Sequence, residues 1–153
     1  MTATLDRPDT SSATSHRAAP GLGSSAGLLV LRIALGAVFI AHGAQKIFVD
    51  GLAATTEGFA GMGIPFAAVL APVAAFTELL AGAAIIVGLL TRIAAAGLAV
   101  TALVALFVVH APNGFFAADG GIEFLLLLAA GACALVLTGA GRISADAALR
   151  RRR

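Results

Sequence analysis

The chain has 153 residues, of which 59% are hydrophobic and only 12% charged, with a mean hydropathy of +1.00 and a formal net charge of +2. A soluble domain carries about a quarter charged residues, so this composition excludes an ordinary soluble enzyme or a nucleic-acid-binding module. The single cysteine, Cys133, excludes a disulfide within the chain, and there is no CxxC or CxxCH motif.

Residues 1–26, "MTATLDRPDTSSATSHRAAPGLGSSA", are rich in Ser, Thr, Ala and Pro. They are predicted to form a disordered tail without signal-peptide character. The first apolar segment covers about 27–48 and contains "RIALGAVFIAHGAQKIF". It is greasy enough for a bilayer, yet it carries Arg32, His42, Gln45 and Lys46. The next stretch, "VDGLAATTEGFAGMGIPF", opens on the helix-start pair Asp50-Gly51 and repeats Leu52, Thr56 and Phe59 at helical spacing before Gly61 and Gly63. It predicts a short amphipathic helix on the outer membrane surface, either a plain connector or a lid. A second apolar segment covers 66–90, with Pro72 and Glu78. A third covers 92–110 and closes on His110. A fourth covers 121–139, with Glu123 near its start. A basic tail, 142–153, ends the chain.

Each apolar segment has the roughly 17–25 residues that a helix needs to cross the hydrocarbon core. Open strands are excluded because their unpaired backbone groups have no partner in lipid. The expected fold class is therefore an all-α integral membrane protein, a four-transmembrane-helix bundle formed by residues 27–141. Arg7, Arg17, Arg92, Arg142 and Arg150 to Arg153 all fall on one side of such a bundle, and Lys46 alone lies opposite. The positive-inside rule then places both termini in the cytoplasm.

At about 1.5 Å of rise per residue, Arg32 lies roughly 6 Å inside the inner edge, where it can snorkel to the cytoplasm. His42, Lys46, His110 and Glu123 form an outer polar layer, with Glu78 deeper beneath it. Glu78 shares a helical stripe with Ala71, Ala74, Ala75 and Gly82, so it faces the bundle. A lone charge at the bilayer centre costs at least ~2.5 kcal/mol. Glu78 is therefore either paired with a base, Arg32 or Lys46, or a protonatable group that handles protons. Lys46 and Glu123 are expected to pair across the outer layer. His42 and His110 read as helix-end packing residues or as a pair of hydrogen-bonding partners for a quinone. Their depths differ by roughly 6 Å, a poor match for two ligands of one haem iron. Phe39, Phe107 and Phe124 lie within a turn of these groups and would pack on a quinone ring. No metal site is expected.

The segments "LRIALGAVFIAHGAQKI", "TELLAGAAIIVGLLTRIAA", "FVVHAPNGFF" and "GIEFLLLLAAGACALVLTGAGRISAD" together resemble the DoxX family of small bacterial membrane proteins. The resemblance rests on Arg32, Gly43 and Lys46 in the first span, Glu78 in the second, and the Gly88, Thr91, Arg92 turn. It continues with His110, Glu123 and the closing "GAGRISAD". Phe124 stands where the family often has Tyr or Trp. The resemblance implies a four-helix bundle in the bacterial plasma membrane. Because related proteins include a subunit of a thiosulfate:quinone oxidoreductase, it also implies membrane redox work. The expected role is an accessory subunit in quinone-linked electron transfer or in assembly of an oxidoreductase complex. A small proton-coupled exporter and a scaffold without chemistry are the alternatives. The expected partners are the lipid bilayer, an oxidoreductase subunit, a quinone and further copies of the chain.

Overall fold

The computed structural model describes residues 21–152. Residues 1–20 of the expected tail, and Arg153, lie outside the described residues. Among the described residues all regular structure is helical. Helix α1 spans Leu22–Ala44 and runs on into a π-helical turn, Gln45–Val49. Helix α2 spans Leu52–Gly61 and α3 spans Ala67–Val87. Helix α4 spans Thr91–Val104 and is prolonged by a π-helical segment, Ala105–His110, and a 3-10 turn, Ala111–Asn113. Helix α5 spans Glu123–Thr138 and α6 spans Ala145–Arg151.

Three continuous rods are long and apolar enough to cross a membrane: Gly23–Val49, Ala67–Val87 and Thr91–Asn113. The fourth apolar helix, α5, has 16 residues, about 24 Å of rise against a core of about 30 Å. It is shorter than the predicted 121–139 segment for local reasons. Gly121 backs closely onto Gly114 and Phe115, which leaves no room for a side chain, and the helix stops at Gly139 with φ 78°. The start of α1 also corrects the expected boundary at residue 27. Residues 22–26 are helical, and the Ser25 hydroxyl is buried where it accepts the Arg142 N–H at 3.2 Å.

Small residues set the closest packing. Helices α1 and α3 run antiparallel, with Gly36 against Gly82 and Gly43 against Ala75 and Leu79. A methyl group on Gly43 would stand 2.6 Å from the Leu79 nitrogen and 2.8 Å from the Ala75 oxygen, so only glycine permits this approach. Helix α4 packs on α5 through an apolar seam that includes Ala95, Leu98 and Ala102 on one side and Ala132 and Leu135 on the other.

The start of α1, the α3–α4 turn and α6 meet at one end of the bundle, which is organised by Arg32. Its guanidinium is 1% exposed and donates to the carbonyls of Ala140 at 2.5 Å, Ile143 at 2.9 Å and Ile86 at 3.0 Å. Arg32 therefore does not snorkel outward. The loop after α5 folds over it and supplies carbonyls in place of water. Asp146 completes this end by accepting the N–H groups of Leu90 at 2.8 Å and Thr91 at 3.0 Å. Those donors open α4, where Leu90 is held in the left-handed region at φ 47°. A carboxylate from α6 thus caps a helix whose own preceding residue has no side chain able to do so. Burial pushes the Asp146 carboxyl up, but the two backbone donors and the Arg150 charge outweigh it and hold it below the ordinary value.

Candidate functional site

At the opposite end the helices part around a cavity of about 700 Å³. Helix α1 contributes Phe39, His42 and Lys46, α3 contributes Glu78, and the prolonged α4 contributes His110. Phe124 of α5 completes the predicted set found there, and the remaining lining is largely aliphatic. Phe59, Met62 and Ile64, from α2 and the loop after it, roof the cavity. The predicted surface helix between the first two spans is therefore present, and it covers the chamber. The Thr55 hydroxyl donates to the Lys46 carbonyl at 3.0 Å, which ties this roof to the end of α1.

The polar centre of the chamber is an ion pair. Lys46 Nζ lies 2.5 Å from Glu78 Oε2, with the Glu78 side chain 8% exposed and that of Lys46 23% exposed. Glu78 is presented by the small face of α3, where Ala71, Ala75 and Gly82 are buried beside it. A buried carboxylate needs a partner, and Lys46 provides it. The expected Lys46–Glu123 bridge is not formed. Glu123 opens α5, lies outside the cavity lining, and makes no ion pair among the described residues. Lys46 also borders a second hollow of about 440 Å³ on the other side of α2, together with Asp50, Phe59 and Met62.

Both histidines have a fixed tautomer. His42 Nδ1 lies 2.9 Å from the Val38 carbonyl and His110 Nδ1 lies 2.6 Å from the Gly120 carbonyl. A carbonyl only accepts, so in each neutral ring Nδ1 carries the proton and Nε2 is left as an acceptor. The chamber thus combines the three N–H donors of the single Lys46 ammonium, one of them committed to Glu78, with carboxylate and imidazole acceptors.

Four predicted site residues lie elsewhere. Arg32 belongs to the far end. Gln45 is exposed and outside the lining, Phe107 is 69% exposed on the outer face, and Glu123 stands apart as described. The sequence reading missed two features. One is the aliphatic wall from α4, where Val100 and Val104 sit in an uninterrupted apolar run whose residue types do not mark a cavity face. The other is the pair of π-helical turns at the cavity ends of α1 and α4, which carry Lys46 and His110. Such turns recur at functional sites, and no residue pattern announces them here.

These features define a small multi-helix membrane protein with a ligand-sized chamber and an ion pair within it. The chain belongs to the DoxX family, whose description matches residues 27–111. It is 33% identical over 120 residues to the "Putative oxidoreductase CatD" of Bacillus subtilis (strain 168), covering 78% of this chain and 84% of that one. It is 30% identical over 137 residues to an uncharacterized protein of Haemophilus influenzae, covering 86% and 88% respectively. No solved structure matches it.

Proposed function

We propose that this protein is an accessory subunit of a membrane redox system and holds a quinone in the chamber between α1, α3, α4 and α5. One observation carries the reading: a largely apolar cavity of about 700 Å³ lined by a charge-neutral Lys46–Glu78 pair and two imidazoles with free Nε2 acceptors, besides the hydroxyls of Thr77 and Thr101. Its size fits the usual range for small-molecule sites. The name of the Bacillus subtilis relative supports redox work in the family. A quinol releases two protons with its two electrons. Imidazole nitrogens are bases of suitable strength near neutral pH to take those protons. The Lys46 ammonium donates toward a carbonyl oxygen, Phe39 and Phe124 pack against the ring, and electrons pass to a partner oxidoreductase subunit.

The proposed topology has four spans, with α5 as the fourth and both termini in the cytoplasm of a bacterial plasma membrane. The one-sided distribution of arginine supports it. Reporter fusions after Arg153 and within the 113–121 loop test it: activity of a cytoplasmic reporter is expected only at the first position.

The functional test is His42→Ala combined with His110→Ala, in membranes that contain the native partners. Quinone extracted with the purified protein and quinone-linked electron transfer should both fall. Normal electron transfer with unchanged quinone content would leave a scaffold role as the better account.

A further inference from the structure

The edge of the cavity carries information about where its ligand comes from. Leu70 and Val73 on α3, and Val100 and Val104 on α4, line the chamber and are also 41%, 54%, 61% and 46% exposed. Residues that do both mark a mouth, and this mouth lies between α3 and α4. The two helices are close lower down, where a methyl group on Gly97 would stand 3.2 Å from Thr77 Cγ2. Around the opening the exposed neighbours are Val69, Phe76 and Leu103. These residues belong to two of the rods that are apolar enough to span a bilayer. The aqueous approach is roofed by Phe59, Met62 and Ile64.

The geometry points to a lateral portal: a neutral, membrane-dissolved ligand with an oxygen-bearing head group enters the chamber from the lipid, between α3 and α4. This rests on the proposal above that the chamber binds a ligand. Neutrality follows from the charges. The Lys46–Glu78 pair sums to zero, so a charged head would be left without a counter-ion in an apolar chamber, at the cost any such group faces there. The polar groups of α1 and α3 receive the head, and the aliphatic mouth accommodates a tail that stays in the membrane.

The chain contains no Trp and no Tyr, so one introduced tryptophan reports alone. Val100→Trp, and separately Val73→Trp, are placed in phosphatidylcholine vesicles. Each is exposed to iodide in the water or to lipids dibrominated on the acyl chains. Loss of most emission with the brominated lipids and almost none with iodide is expected at both positions. Quenching by iodide with little effect of brominated lipid would overturn the portal. In the same vesicles, Phe124→Trp is titrated with a benzoquinone bearing a ten-carbon tail. Saturable quenching is expected, and it should slow in onset when Val100→Leu and Val73→Leu narrow the mouth. Saturable binding with unchanged kinetics would overturn the route. Linear, unsaturable quenching would instead overturn the quinone reading, and the lipid-versus-iodide result would stand as the measure of the portal.

Discussion

Replacing Glu78 by Gln retains the shape of the side chain and removes its charge. Lys46 then keeps its ammonium in the chamber without the carboxylate that sits 2.5 Å away. Breaking a buried pair from one side costs about 3–5 kcal/mol. Lys46 is 23% exposed and borders the second hollow, where Asp50 lies. It has somewhere to turn, which argues for the lower end, about 3 kcal/mol. For a chain of this length that corresponds to a fall of about 6–12 °C in melting temperature. The assay is thermal unfolding of the purified protein in detergent, for Glu78→Gln, Lys46→Met and the double variant. The double variant should recover most of the loss, because two neutral side chains leave no charge stranded. If the double variant lost as much as the two single variants combined, the side chains would not be coupled. The ion pair would then have no part in holding α1 to α3.

Three further outcomes are expected. Gly43→Val should lower stability by about 1–3 kcal/mol or more, because the added carbons meet the Ala75 and Leu79 backbone rather than a movable side chain; detergent melts measure it. Arg32→Met should cost about 3 kcal/mol or more through loss of charge-assisted bonds to three carbonyls. Arg32→Lys should restore only part of that loss, because one ammonium does not match a planar fork. Asp146 has a lowered folded value against an ordinary 3.8. Its contribution to stability is therefore complete above that ordinary value and is lost as pH falls through the lower folded value. Asp146→Asn should flatten this acid limb by lowering the melting temperature in the neutral region, where the carboxylate's contribution is complete, and should leave the acid end of the profile little changed.

The first three rods and the small-residue face under Glu78 were legible in the sequence because length, apolarity and helical spacing are local properties. The pairing of Lys46 was harder. The sequence left Lys46 two candidate partners, Glu78 and Glu123, and counting rise from each segment's apparent edge favoured the outer one. The true register comes from contact between helices: Gly43 meets Ala75 and Leu79. That sets Lys46 about one turn, ~6 Å, beyond the level of Glu78, within reach of a lysine side chain. Arg32 was misread for a related reason. Its three acceptors include Ala140 and Ile143, which lie 108 and 111 residues along the chain. No window of sequence contains both the guanidinium and the loop that buries it. The motif "GAGRISAD" carried the resemblance, yet its physical content became visible only in three dimensions: Ala140 and Ile143 receive Arg32, Ser144 caps α6, and Asp146 caps α4.

The long reach of Arg32 also sets an order of events during biosynthesis. Ala140 leaves the ribosome 108 residues after Arg32, on the order of 5–20 s later at ordinary rates of elongation. Through that interval the Arg32 guanidinium of α1 lacks two of the three carbonyls that will hold it. Water or lipid head groups must solvate the charge in the meantime. Arrival of the last dozen residues releases this solvent. The bundle is therefore locked from its C-terminus, and a chain cut after Thr138 would insert its helices without ever closing them.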